Sequence, residues 1–154
     1  MTHNIFLALG SNIGNKQRYI DEAIQHLGPN VTNIRLSKIY ETKPMYFEAQ
    51  DVFLNAVLQA ETNLTPVELL PFVKKLETKI GRLTRFPNGP REIDIDILFY
   101  EDLIYSDELL TIPHPGIAQR DFVLRPLMDL APELIHPVLR KSVAELFAEF
   151  IARA

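Results

Sequence analysis

The sequence contains no cysteine. That excludes a disulfide framework, a thiolate metal site and a cysteine nucleophile. No apolar run approaches the ~18 residues of a membrane-spanning helix, and the N-terminus lacks a basic stretch leading into an apolar one. The expectation is therefore a cytoplasmic protein with neither membrane contact nor signal peptide. Positive charge is not in excess: 16 Lys and Arg face 20 Asp and Glu, a net charge of −4, which argues against a general nucleic-acid binder. Internal repeats and low-complexity tracts are absent too. What remains is 154 residues, 47% of them hydrophobic, enough for one domain over 1–154 with a sizeable core.

The most informative stretch runs from Gly89 to Tyr100, GPREIDIDILFY. Ile93, Ile95, Ile97 and Phe99 alternate, the period of a half-buried strand. Asp94 and Asp96 start the opposite face, their Cα atoms roughly 6.6 Å apart. Two readings fit such a pair. One is a wet sheet face that carries two acids; the other is a cation held between them. Oxygen ligands suit Mg²⁺, which is commonly held by one or two carboxylates together with substrate phosphates. Two such ions about 3.5–4 Å apart would fit between the side chains.

The preceding segment favours the second reading. From Lys79 to Arg91 the charged residues are Lys79, Arg82, Arg85 and Arg91, without an acid, and Gly81, Pro87, Gly89 and Pro90 make the segment a loop. Taken alone it is an ordinary solvated loop. Running into a two-Asp strand, it has the parts a metal-bound polyphosphate needs: acids for the metal and forked guanidiniums for the phosphate.

The rest of the chain supplies a scaffold. Residues 4–10 form a first strand, ended by the turn Ser11-Asn12-Ile13-Gly14-Asn15. Asn15 caps a helix with Ile20, Ala23, Ile24 and Leu27 on one face, and Gly28 and Pro29 end it. Residues 31–40 read as an edge strand. A loop of about eleven residues, 41–51, follows, long enough to be a lid or a disordered hairpin tip. Residues 52–61 form a third strand, where Phe53 and Asn55 suit a flat heterocycle: ring for stacking, amide for its edge. Thr65-Pro66-Val67-Glu68 is a capping box opening a helix with Leu69, Val73, Leu76 and Ile80 inward, a kink expected at Pro71 and a stop at Gly81. Glu77 sits in its last turns, placed to pair an Arg. Further on, His114 lies between two prolines in a rigid loop, 111–116, near Arg120 and Phe122. Residues 122–130 are apolar core, and 143–151 a short closing helix. The order β-α-β-β-α-β predicts an α+β, ferredoxin-like sandwich, helices on one face of a largely antiparallel sheet, with extra C-terminal strand and helix pieces.

The strings Leu9-Gly10-Ser11-Asn12, Tyr40-Glu41-Thr42, Phe53-Leu54-Asn55, Gly81-Arg82, Gly89-Pro90-Arg91-x-Ile93-Asp94-x-Asp96-Ile97-Leu98, and Pro113-His114-Pro115 with Arg120 and Phe122-Val123-Leu124 occur in that order. Together, over about residues 3 to 136, they resemble the hydroxymethyl-dihydropterin pyrophosphokinases of folate biosynthesis. The resemblance implies transfer of the terminal diphosphate of ATP to 6-hydroxymethyl-7,8-dihydropterin, with release of AMP. It implies Asp94 and Asp96 as ligands of two Mg²⁺ ions. ATP contacts would come from Glu77, Arg82, Arg85, Arg91, His114 and Arg120, with adenine near Ile97 and Thr111. Pterin contacts would come from Thr42, Pro44, Met45 and Asn55, the ring lying between Phe53 and Phe122. Arg82, Arg91, Asp94 and Asp96 would carry catalysis, and residues 83–90 and 43–52 would be mobile loops. The partners would be small molecules, and the protein a monomer or weak dimer. Asn88 stands where the family usually has Trp before Gly-Pro-Arg, and the loop is one residue shorter than in some members. Two other classes fit parts of the pattern: a non-enzymatic ligand-binding module, and a two-metal phosphohydrolase.

Overall fold

The structure is a computed structural model and describes residues 1–43 and 50–154. Four helices and a mainly antiparallel sheet follow the order β1 His3–Ser11, α1 Lys16–His26, β2 Val31–Leu36, β3 Tyr40–Thr42, β4 Phe53–Thr62, α2 Pro66–Ile80, β5 Asp94–Tyr100, β6 Tyr105–Ser106, β7 Thr111–Ile112, α3 Asp121–Leu130 and α4 Val143–Arg153. Among the described residues the main sheet has order β2-β4-β1-β5, with β3 also on β4. Counting β2 and β3 as one interrupted edge, the order is fourth-first-third-second, all antiparallel, as in a ferredoxin-like sheet.

The interruption is a correction to a single strand over 31–40. Asn33 has φ 54, and the β2–β4 register shifts between Thr32 and Arg35. Past Leu36, buried Ser37 turns inward: its N–H reaches Val57 O at 2.9 Å, and its hydroxyl accepts the Val57 N–H at 2.9 Å. Both helix starts follow the sequence. The Asn15 side chain accepts from Arg18 N, and Thr65 and Glu68 form a reciprocal capping box. Helix α2 passes Pro71 as one element and ends at Gly81, φ 128, a conformation only glycine adopts easily. Helix α1 ends differently from expectation. Leu27 closes it in right-handed geometry, and Gly28 is not among the positive-φ glycines.

Two cores flank the sheet. Helices α1 and α2 bury Ile20, Ala23, Leu69 and Val73 against Ile5, Leu7, Leu58, Ile93, Ile95 and Ile97. On the other face α3 and α4 bury Val123, Leu124, Leu127, Val143 and Leu146 against Phe6, Val57, Leu98 and Phe99. The C-terminal pieces are thus a second helical layer rather than appendages, and helices cover both faces instead of one. Residues 122–130, read as unspecified core, are helix α3.

One detail of β5 corrects its expected alternation. Phe6 pairs with Phe99 but Leu7 with Ile97, so Leu98 is an extra residue, a β-bulge. Ile93, Ile95 and Ile97 face α1 and α2 as expected, but Phe99 shares the α3/α4 side with Leu98. Asp94 and Asp96, ahead of the bulge, keep the face opposite the isoleucines.

Candidate active site

Asp94 and Asp96 open into a cavity of about 270 Å³, lined by β1 (Ala8, Gly10), β4 (Phe53, Asn55), β5 (Asp94, Asp96, Leu98), Thr42, Asn88, Arg91, His114, Arg120 and the start of α3 (Phe122, Val123). The sheet supplies the floor. Gly10 lies opposite Asn55 on one side and Asp94 on the other, and a Cβ there would stand 3.1 Å from Asn55 Oδ1 and 3.5 Å from Phe53. Glycine keeps the floor open and leaves the Asn55 carbonyl uncovered. Asn55, 6% exposed, donates its amide to Thr42 Oγ1, so its Oδ1 points to the cavity as a fixed acceptor.

The two acids differ. Asp94 accepts from Arg82 Nη1 at 3.0 Å, and Arg91 Nη1 lies 3.5 Å away. Asp96 has Lys74 at 3.9 Å, and the charges of Lys74 and Arg120 both act on it. Burial first, and the neighbouring Asp94 second, push the Asp96 carboxyl up to about 6. An acid so placed is short of positive charge. Among the described residues no cluster of three or more His, Asp or Glu has metal-binding geometry. The donor set is therefore two carboxylates, which fits Mg²⁺ completed by phosphate and water rather than an all-protein cage.

Glu77 organises the side of the site next to Arg82. It is 4% exposed and accepts from Arg82 at 2.8 Å, Lys74 at 3.0 Å and Ile95 N at 2.7 Å, so helix α2, the basic loop and β5 meet on one carboxylate. The expected pairing with an Arg is present; the strand contact was not foreseen. His114 N donates to Leu98 O at 3.0 Å, and its Nδ1 accepts the Gly116 N–H at 3.0 Å. Burial, then Arg120, holds its pKa down to about 4. The ring is neutral and presents Nε2–H, an uncharged donor. Beside Asp96 a second cavity, about 300 Å³, is lined by Leu70, Lys74, Ile97, Leu109, Thr111 and His114. Thr111 lies in strand β7 rather than in a loop.

Arg91 lies 5.3 Å over the Phe53 ring and Arg120 5.8 Å over Phe122. Arg85 does not line the cavity: its guanidinium is forked onto Glu92 at 2.8 and 2.7 Å. Pro44 and Met45, with most of the 43–52 loop, lie outside the described residues.

Gly10, Asn12, Gln50 and Lys74 were given no site role in the sequence. Asn12, 1% exposed, donates to Gln50 Oε1 and to Asp51 O, and its Oδ1 accepts Arg91 N at 2.8 Å. Gln50 in turn donates to Asn88 O at 2.7 Å. The Gly-Ser-Asn turn thus joins the ends of both expected loops. The available signal was a polar residue just past a buried strand, which is weak by itself.

The chain is similar over 145 residues, at 46% identity, to 2-amino-4-hydroxy-6-hydroxymethyldihydropteridine pyrophosphokinase of Aquifex aeolicus, spanning 94% of this chain and 91% of that one. It is 38% identical over 136 residues to the protein of that name from Bacillus subtilis, covering 87% and 81%. A folic acid synthesis protein of Schizosaccharomyces pombe is 43% identical over 142 residues, but this chain spans only 19% of its length. Among solved structures, Plasmodium falciparum HPPK-DHPS with pteroate superposes with a TM-score of 0.80 over 99% of this chain and 43% of that one; at 19% identity this likeness speaks for the fold alone. The family model for 7,8-dihydro-6-hydroxymethylpterin-pyrophosphokinase matches residues 6–132, and with the bacterial relatives it decides the matter: the chain belongs to that family.

Proposed function

We propose that the chain transfers the terminal diphosphate of ATP to the hydroxymethyl group of 6-hydroxymethyl-7,8-dihydropterin on the Asp94–Asp96 face of β5. The observation that carries this reading is one cavity with two chemistries. A flat, amide-edged recess (Phe53, Asn55, Phe122) adjoins two carboxylates ringed by Arg82, Arg91, Arg120 and His114.

The hydroxymethyl oxygen bonds to the β-phosphorus and gives up its proton to water, the bond from that phosphorus to the bridging oxygen of the α-phosphate breaks, and AMP leaves with that oxygen. Such a transfer needs in-line placement and neutralisation of charge more than covalent help. Asp94 and Asp96 would hold two Mg²⁺ ions, whose charge offsets that of the moving diphosphate and acidifies the hydroxyl. Arg82 and Arg91, both on Asp94, lie where forked donors reach the phosphate oxygens. His114 donates through Nε2–H without adding charge, and Arg120 completes that wall. The slot at Ile97, Leu109 and Thr111 takes the adenine, with Lys74, itself bonded to Glu77, at its edge. Asn55 Oδ1 accepts from the pterin edge while Phe53 and Phe122 flank the ring. Thr42 holds that amide in place, and Pro44 and Met45 belong to the same pocket by resemblance.

Arg85 is left out of the phosphate set because Glu92 holds both prongs of its guanidinium. The same reading takes 1–154 as one catalytic domain working in the cytoplasm on small molecules, as a monomer or weak dimer. No helix of the described residues is long and apolar enough to cross a membrane.

Product analysis tests the reaction. With ATP and Mg²⁺, AMP should form one-for-one with pterin diphosphate and only when the dihydropterin is present. Phosphate release without pterin would make the protein a hydrolase, and no nucleotide consumption at all would make it a binding module.

A further inference from the structure

The segment 83–90 has little regular structure of its own. Gly89 N donates to Phe86 O at 3.0 Å, and Arg91 Nε to Gly89 O at 3.1 Å. What closes it is Glu92, two residues before strand β5. Its neighbours are committed elsewhere: Ile93 is in the core, and Arg91 and Asp94 line the cavity. The Glu92 side chain, 7% exposed, turns back to the loop instead. Oε1 accepts from Arg85 Nη1 at 2.8 Å and from Leu83 N at 3.3 Å, and Oε2 accepts from Arg85 Nη2 at 2.7 Å. Arg85 Nη1 also reaches Pro90 O at 3.3 Å. One carboxylate thus ties the start of the loop to its end, through a forked pair that fixes orientation as well as distance.

Two consequences follow. Arg85, the one guanidinium inside the loop, is turned away from Asp94 and Asp96. Arg82 and Arg91, which flank the tied span, both arrive on Asp94. We infer that Glu92 is a positioning residue for diphosphate transfer: it retains Arg85 and fixes the 83–90 span so that Arg82 and Arg91 converge on the reacting phosphates. This rests on the proposed function. The rival is that Arg85 leaves Glu92 to become a phosphate ligand itself.

A mutant cycle separates the two. Glu92→Gln keeps size and one acceptor but loses the fork; Arg85→Gln removes the same pair from its more exposed side and serves if the first variant folds poorly. Hydrogen exchange of residues 83–90 without nucleotide, the Kd for the magnesium complex of α,β-methylene-ATP, and kcat against KM are measured for both variants and the double. The expected result is faster loop exchange in each variant, kcat lower by about tenfold, analogue Kd within about threefold of the parent, and a double variant no worse than either single, since the two act as a unit. Loop exchange equal to the parent's in both variants would overturn the inference. So would Arg85→Gln weakening the analogue by about tenfold while Glu92→Gln leaves it unchanged or tighter, because then Arg85 is itself the ligand. The exchange arm needs no turnover, so it stands or fails separately from the reaction: a parent protein that forms no AMP with dihydropterin would sink the functional reading alone.

Discussion

At the scale of single residues, Asp96 is where charge and position conflict most. It is half-buried beside a like charge, with Lys74 at 3.9 Å and Arg120 offsetting only part of the cost. Removing that charge relieves the fold and harms the proposed chemistry. Asp96→Asn should therefore unfold at or above the parent's temperature in chelator, while turnover at saturating Mg²⁺ falls by about 10²-fold or more. Asp94→Ala should lose turnover equally, with Arg82 retaining Glu77 as partner. Near-normal activity in either variant would remove the acid pair from the reaction. On the pterin side, Asn55→Ala, Phe53→Ala and Phe122→Ala should each weaken dihydropterin binding by about 1 kcal/mol or more, read by titration with an ATP analogue present. Unchanged affinity in all three would put the pocket elsewhere. His114 gives a pH signature. Its folded pKa, about 4, lies below its ordinary 6.5, so its stabilising contribution is complete above pH 6.5 and is lost as pH falls toward 4. The imidazole proton shift should stay flat from pH 8 to 5.5; a midpoint near 6.5 would contradict the neutral-donor role.

At the scale of elements, the clearest sequence signals were those whose physics is local. The period of two in 93–97 put both acids on one face, and Thr65-Pro66-Val67-Glu68 fixed the start of α2. Helix α3 went unread because Arg120 provides no side-chain cap and Pro126 sits inside it, although Val123, Leu124 and Leu127 are spaced as on one helix face and Asp121 stands in the first turn. The Leu98 bulge was equally invisible, since it arises from pairing with Phe6 and Leu7 more than 90 residues earlier. The candidate site divides the same way. Asp94, Asp96, Asn55 and the arginine-rich loop stand out in the chain. The Glu77 bond to Ile95 N, the Asn12 bond to Arg91 N and the Arg85–Glu92 fork exist only after folding. That fork ties the start of the expected mobile loop, 83–90, to its end. Arg82→Ala or Arg91→Ala should still lower kcat more than it weakens ATP binding, by roughly 10²-fold if the contact strengthens in the transition state. Equal losses in kcat and in ATP affinity would make either arginine a ground-state ligand only.

At the scale of the whole molecule, the sheet is a partition. One core, under α1 and α2, holds the strands in register and reaches the cavity lining at Leu9. The other, under α3 and α4, ends at the cavity wall, because Phe122 and Val123 belong to both. Leu127, fully buried there, should cost ~2–5 kcal/mol on truncation to Ala, read by denaturant unfolding, and should weaken pterin binding as well by loosening Phe122. A matching truncation at Val73, in the first core, should cost stability with pterin affinity unchanged. The most direct test of the Asp94–Asp96 face as the place of reaction is a crystal structure with Mg²⁺, α,β-methylene-ATP and hydroxymethyl-dihydropterin. Metal density against both carboxylates is expected, with the diphosphate toward Arg82 and Arg91 and the pterin between Phe53 and Phe122, its edge on Asn55. Nucleotide or pterin bound away from this face, or carboxylates without metal in that complex, would contradict it.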